Sequence, residues 1–303
     1  MLTSLILTVS PREPTNLPRD LGRAGYALFL SLVSAQDLAL AESLHTAQDR
    51  KPFTCSNVFG GTRDGASLLA QPGDALAMRY TGLNAAVSSA LAAMAAGFAA
   101  TPMAEPHPNP LTEGDGLVVE LDRAPMRIVS ATLDGATDAR AGATSYDALG
   151  SPYLLSRERP TSAVTLRFFS PTAFRSRDQN LPLPLPGSVF GSLVDKWNAF
   201  APLALPDEVR RFADECLAIS QFRGHTRMLR GKDGGKQIGF VGEVTYRALN
   251  TDRYWLSLIN VLADYAFFAG VGYGTTQGMG QCRRVTEVEI EQRRVRRANE
   301  MDD

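Results

Sequence analysis

Leu5, Leu7 and Val9 alternate with Ile6 and Thr8, which predicts an opening strand with both faces mostly covered. Pro11, Pro14 and Pro18 close it, and the period then changes. Leu17, Leu21, Ala24, Leu28 and Leu32 recur at helical spacing, with Pro18 where a first turn tolerates proline. A shorter helical run over 37–44 carries Leu40 and Leu44 on one stripe and delivers His45 at its end. Residues 53–59 read as a strand, 60–73 as a turn-rich connection, and 75–80 as another strand. Asn84 is placed to cap a helix striped by Leu83, Val87, Leu91, Met94 and Phe98. Beyond a proline-rich break at 102–110, strand-like runs at 117–121 and 126–133 complete the order β-α-β-β-α-β, which is the ferredoxin-like arrangement.

The pattern then repeats. Val164, Leu166 and Phe168 alternate, helices are expected over 188–200 and 206–216, and strands over 219–229 and 239–247. Gly231, Lys232, Asp233, Gly234 and Gly235 between those strands suit a hairpin tip. Asp252 starts a helix striped by Trp255, Ile259, Leu262 and Ala266, and Val288 and Ile290 alternate with Glu287 and Glu289 as a last strand. The expected fold is therefore α+β: two tandem ferredoxin-like, or RRM-like, domains. They span 1–135 and 161–291, joined by a linker at 136–160 and followed by a charged tail at 292–303.

Composition narrows the function classes. A length of 303 residues suits two domains, and a net charge of −1 excludes a chain held on nucleic acid by bulk charge while leaving local basic patches open. Cys55, Cys216 and Cys282 are scattered and share no C-x-x-C spacing, so neither a disulfide framework nor a zinc site is expected, and a reducing cytoplasm is the natural compartment. The amino-terminal residues lack the pattern of a signal peptide, and the alanine-rich run at 85–100 is shorter than a bilayer crossing; no membrane association and no cofactor are expected.

Candidate chemistry concentrates in three places. The run Gly270, Val271, Gly272, Tyr273, Gly274, Thr275, Thr276, Gln277, Gly278, Met279 and Gly280 is rich in glycine, so its backbone can approach a ligand closely and offer amides to phosphate. Its glycine spacing, and the helix before it, do not match the dinucleotide fingerprint. Arg223, His225, Arg227, Arg230, Lys232 and Lys236 form a basic ribbon that suits an RNA backbone, or simply a solvated hairpin. His45, followed by Lys51 and preceded by Tyr26 on the earlier helix, brings a group that exchanges protons near neutral pH close to a fixed ammonium. A helix-end histidine favoured by the dipole is the plainer reading of His45. Tyr246, Tyr254 and Tyr273 can stack on bases or pack.

The stretch from Leu44 and His45 through Lys51, Pro52, Phe53, Thr54, Cys55 and Ser56, together with the glycine run, resembles the CRISPR-associated endoribonucleases of the RAMP superfamily that process precursor guide RNA. The resemblance spans nearly the whole chain. It implies two ferredoxin-like domains holding CRISPR repeat RNA and cutting it without metal, leaving a 2′,3′-cyclic phosphate and a 5′-hydroxyl. Under it, His45 matches the general acid or base, Lys51 the lysine that stabilises the transition state, and Gly270–Gly280 the RNA-binding signature. The tyrosine of the family's triads falls at Leu30 when counted without gaps, and Tyr26 stands one turn earlier on the same face. Many family loops have Lys or Arg where this chain has Gly274. A non-catalytic RAMP subunit binding guide RNA in an effector complex is the alternative, and a monomer, a homodimer or partnership with other CRISPR subunits all remain open.

Overall fold

The ten residues of β1 (Leu2–Pro11) are buried almost throughout, because both faces of this strand are covered. The computed structural model describes residues 1–99, 117–176, 179–230, 235–286 and 288–292. Those residues divide into two units by their contacts: Met1–Tyr146 with Ala199–Pro202 and Gly274–Met279, and Asp147–Asn198 with Leu203–Tyr273 and the described residues from Gly280 on.

In the first unit β1 is followed by β2 (Thr15–Pro18), α1 (Gly22–Ser34), α2 (Leu38–Thr46), β3 (Phe53–Cys55), β4 (Thr62–Asp64), β5 (Ser67–Ala70) and β6 (Leu76–Gly82). Next come α3 (Ala85–Ala99), β7 (Val118–Leu121), β8 (Ala124–Thr132) and β9 (Gly142–Thr144). The sheet order is β3-β6-β1-β8-β7, all antiparallel, with β9 also on β1. Counting only the strands of the repeated pattern, the second, third, first and fourth lie side by side, which is the ferredoxin-like order. Leu5, Leu7 and Val9 point into a core shared with Leu28, Phe29, Leu32 and Val33 of α1 and with Val87, Leu91 and Met94 of α3. On the other face Ile6 packs with Ala77 and Ala141. Each such side chain contributes roughly 1.5–3 kcal/mol by leaving water.

The second unit runs α4 (Tyr146–Leu154), whose first residue groups with the first unit, β10 (Ala163–Thr172), β11 (Phe174–Ser176), β12 (Gln179–Leu181) and α5 (Pro186–Phe200), the last two residues of which also group with the first unit. It continues with α6 (Glu208–Cys216), β13 (Leu217–Arg230), β14 (Lys236–Ala248), α7 (Arg253–Ala269) and β15 (Cys282–Arg284). Its sheet order, β13-β14-β10-β15, repeats the same topology.

The helix caps form where the residue types allow them. Asp37 accepts a hydrogen bond from Leu40 N–H at the start of α2, Asn84 from Val87 N–H before α3, and Asp252 from Tyr254 N–H at the start of α7. Several expected elements differ, and the stretch 136–160, expected as a linker, holds β9 and α4. Leu17 and Pro18 belong to β2, paired with β5, and α1 begins only at Gly22. The connection at 60–73 holds the hairpin of β4 and β5, turning at Gly65 with φ +54°. Residues 288–292 are helical rather than a strand, because Thr286 and Glu289 form a reciprocal cap: Thr286 N–H donates to Glu289 Oε2 and Glu289 N–H to Thr286 Oγ1. The sheet instead closes with β15, and Glu287 lies outside the described residues.

Candidate active site

Lys51 is the centre of the cluster. It follows α2 and precedes β3, and its ammonium folds back onto the last turn of α2, donating to the carbonyl oxygens of Leu44 and of His45, the latter at 3.1 Å. Helix-end carbonyls lack intrahelical partners and carry the negative end of the dipole, so a cation is favoured there. The third contact of Nζ is Tyr26 Oη, 3.2 Å away, which accounts for all three donors of an ammonium. Lys51 also lies 5.6 Å from the centroid of the Tyr26 ring.

An aromatic ladder sets the position of Tyr26. Its ring stacks on Phe53 with centroids 5.8 Å apart, Phe53 meets Phe29 at 4.5 Å, and Phe29 meets Tyr80 at 5.3 Å. Phe53, Phe29 and Tyr80 are fully buried, whereas Tyr26 is half-buried at the edge, with its hydroxyl on Lys51. Leu30, the position indicated by ungapped counting, packs against the core instead. His45 occupies the last turn of α2 and is exposed, and among the described residues no side chain holds its imidazole. The structure thus joins Tyr26 and Lys51 directly, and joins Lys51 to the backbone that carries His45.

The glycine run turns its amides inward. Gly270, Gly272, Gly274, Gly278 and Gly280 all have positive φ, between 60° and 88°. Gly272 N–H donates to Ser192 Oγ, Tyr273 N–H to the Ala173 carbonyl, and Gly280 N–H to the Pro171 carbonyl. Val271 N–H donates to Gly280, and Gln277 and Met279 N–H both reach the Gly274 carbonyl. Residues 274–279 group with the first unit, where Gly278 N–H donates to the Cys55 carbonyl at 3.1 Å and Cys55 N–H to the Thr275 carbonyl at 2.9 Å. Gln277 is exposed and Tyr273 and Thr276 are half-buried; the Arg175 guanidinium lies 5.6 Å from the Tyr273 ring centroid. Burial pushes the Tyr273 phenol above its ordinary range.

In the ribbon, Arg223, His225 and Arg227 project from one face of β13, with Arg223 opposite Glu243 and Arg227 opposite Gly239. Arg223, His225 and Lys236 are exposed. The backbone of Arg230 pairs with Lys236, so β13 and β14 continue past Phe240, where pairing with β10 ends. Lys232 and His107 lie outside the described residues. A groove of about 660 Å³ is lined by Thr165, Arg223, Glu243, Thr245, Arg247 and Arg284. Residues that the sequence reading passed over include Gly22 and Asn57, whose Oδ1 accepts from Leu21 N–H at 2.7 Å just before α1. A glycine at the head of a helical stripe is the signal that could have drawn attention to Gly22.

Two tandem ferredoxin-like folds, with an exposed histidine and a lysine–tyrosine pair on the first, define the class: an α+β protein built from a repeated split β-α-β unit. The CRISPR-associated endoribonuclease Cas6 family matches residues 166–282, and the CRISPR Cas6 N-terminal domain matches residues 1–68. The chain belongs to the Cas6 family of CRISPR-associated endoribonucleases. Among solved structures it is similar to one Cas6 product complex at 26% identity and to another at 27%, each with a TM-score of 0.70, covering 94% of this chain and 99% of theirs. It is also similar to Thermus thermophilus Cas6 at 27% identity and a TM-score of 0.66, covering 94% of this chain and 98% of that one. A comparison with curated proteins found no match. Among the described residues no helix is long and apolar enough to cross a membrane.

Proposed function

We propose that this protein binds CRISPR repeat RNA and cuts precursor transcripts within the repeat, releasing guide RNAs. Family membership and the similarity to Cas6 product complexes support an RNA endonuclease. In the reaction the 2′-hydroxyl loses its proton to a base and its oxygen bonds to the adjacent phosphorus. The bond from phosphorus to the 5′ oxygen breaks as that oxygen takes a proton. The products are a 2′,3′-cyclic phosphate and a 5′-hydroxyl, and the atoms balance with no metal required.

One observation carries the reading: the Lys51 ammonium bonds at once to the backbone turn bearing His45 and to the Tyr26 hydroxyl. His45, exposed beside them, moves a proton as acid or base. Lys51 fixes a positive charge where the phosphorane gathers negative charge. Tyr26 accepts from Lys51 through its oxygen and keeps its own proton to donate to a phosphoryl oxygen. Arg223, His225, Arg227, Arg230, Lys232 and Lys236 take the RNA backbone, and Tyr273, Thr276 and Gln277 are the side chains through which the glycine run reaches RNA.

The test is cleavage of an end-labelled RNA carrying the host repeat, in chelator, by wild type and His45→Ala. A single cut with a cyclic-phosphate end, lost in the variant while RNA binding survives, is expected. Tight binding without cutting by the wild type would make the chain a guide-RNA-binding subunit instead.

A further inference from the structure

We propose that residues Gly274–Met279 are a clasp that positions Tyr26 and Lys51, with Gly22 as its seat; the proposal rests on the catalytic assignment made above. The clasp pairs with β3 through both backbone groups of Cys55, and Ser56 bridges to Gly278 in parallel. β3 opens with Phe53, whose ring carries Tyr26, and Lys51 stands two residues before it. Fixing β3 therefore fixes the lysine and the base of the aromatic ladder together.

The second hold is on α1. A Cβ added to Gly22 would lie 2.0 Å from the Gln277 carbonyl oxygen, 2.3 Å from its carbon and 2.7 Å from Gly278 N, all backbone atoms that cannot rotate away. Tyr26 lies about one turn further along the same helix. A Cβ on Gly278 would meet Gly22 Cα at 3.1 Å and Asn57 N at 3.4 Å, so clasp, α1 and the residue after Ser56 close on one another with no spare room. Met279 buttresses the turn, since its Sδ lies 2.9 Å from where a Cβ on Gly274 would stand. The run's glycines thus serve close backbone approach, with the substrate-facing work left to other residues. A shift of about 1 Å at a reacting group can slow catalysis roughly a hundredfold.

Gly22→Ala tests this, with Gly25→Ala as the control. A Cβ at Gly25 meets nothing nearer than the Ser56 carbonyl oxygen at 3.6 Å, so the same chemical change in the same helix leaves the clasp alone. Gly22→Ala is expected to slow single-turnover cleavage about tenfold to a hundredfold with repeat-RNA affinity retained, while Gly25→Ala cuts like wild type. In a Lys51→Met background the Gly22 effect should largely vanish, because both changes disturb one unit. Full-rate cutting by Gly22→Ala, or effects that simply multiply, overturns the proposal. Should Gly22→Ala fail to fold, hydrogen exchange in wild type decides: protected Cys55 and Gly278 amides support the clasp, and exchange at exposed-loop rates overturns it. Failure of the catalytic assignment looks different, because Lys51→Met alone would then cut at the wild-type rate.

Discussion

Replacing Lys51 with methionine removes the ammonium but keeps an unbranched stem against Tyr26, and so bears on both the clamp that Nζ forms and the catalytic charge proposed for it. As a helix clamp, Nζ holds the Leu44 and His45 carbonyls and the Tyr26 hydroxyl. Losing these charge-assisted bonds at a half-buried position costs about 1–2 kcal/mol, with a further ~0.3–1 kcal/mol from the helix end. As a catalytic charge, an ammonium about 4 Å from a full negative charge is worth roughly 4 kcal/mol at an effective dielectric near 20. Only the charge that develops between ground and transition state counts towards rate, so ~2–4 kcal/mol is a reasonable span, or about thirtyfold to a thousandfold in rate. The assay is single-turnover cleavage of repeat RNA at saturating protein, beside thermal melting and direct RNA binding. The expected result is a rate loss in that range, a lowered melting temperature and retained affinity. A variant that melts earlier yet cuts at the wild-type rate would refute the catalytic charge and leave only the clamp.

Two further outcomes follow from the second unit. Arg223→Ala with Lys236→Ala removes two exposed charges of the ribbon, which should weaken repeat binding and reduce the slope of log affinity against log salt by about 1–2; an unchanged slope would take the ribbon off the RNA. Arg283 donates to both oxygens of Glu289, at 2.6 and 2.7 Å, and with the Thr286 N–H bond this lowers the Glu289 carboxyl from 4.5 to about 2. A depressed carboxyl adds stability above its unfolded value and loses it as pH falls from about 4.5 towards 2. Urea unfolding across that window should show a shallower loss for Glu289→Gln than for wild type, and identical slopes would remove Glu289 from the acid response.

Local chemistry made much of this fold readable in advance. Asp37, Asn84 and Asp252 announce their helices because a short acceptor side chain serves an orphan N–H within three residues, a signal contained in a few positions of chain. Both sheets also show in the alternation of Leu5, Leu7 and Val9 and of Val164, Leu166 and Phe168. What escaped depends on partners far away in sequence. Pro18 looks like a helix residue until Ser67 pairs with it, and Gly22 looks like an ordinary glycine until Gln277 occupies the space above it. Val288 and Ile290 misled by alternating, although Thr286 and Glu289 already spelled a capping box. At the candidate site, His45 and Lys51 stood out through residue type and order. The bond from Lys51 to Tyr26 required two helices and a strand to be assembled first.

The grouping of Gly274–Met279 with the first unit has a consequence for how the protein is made. Synthesis proceeds from the amino terminus, and domains usually complete themselves as they emerge from the ribosome. Here the segment bearing His45 and Lys51 lacks the strand-like partner of Cys55 until residues 274–279 have been made. A product truncated before residue 274 would own every candidate catalytic side chain and still be unfinished. An amino-terminal fragment of this chain is therefore built without the segment that pairs with both backbone groups of Cys55.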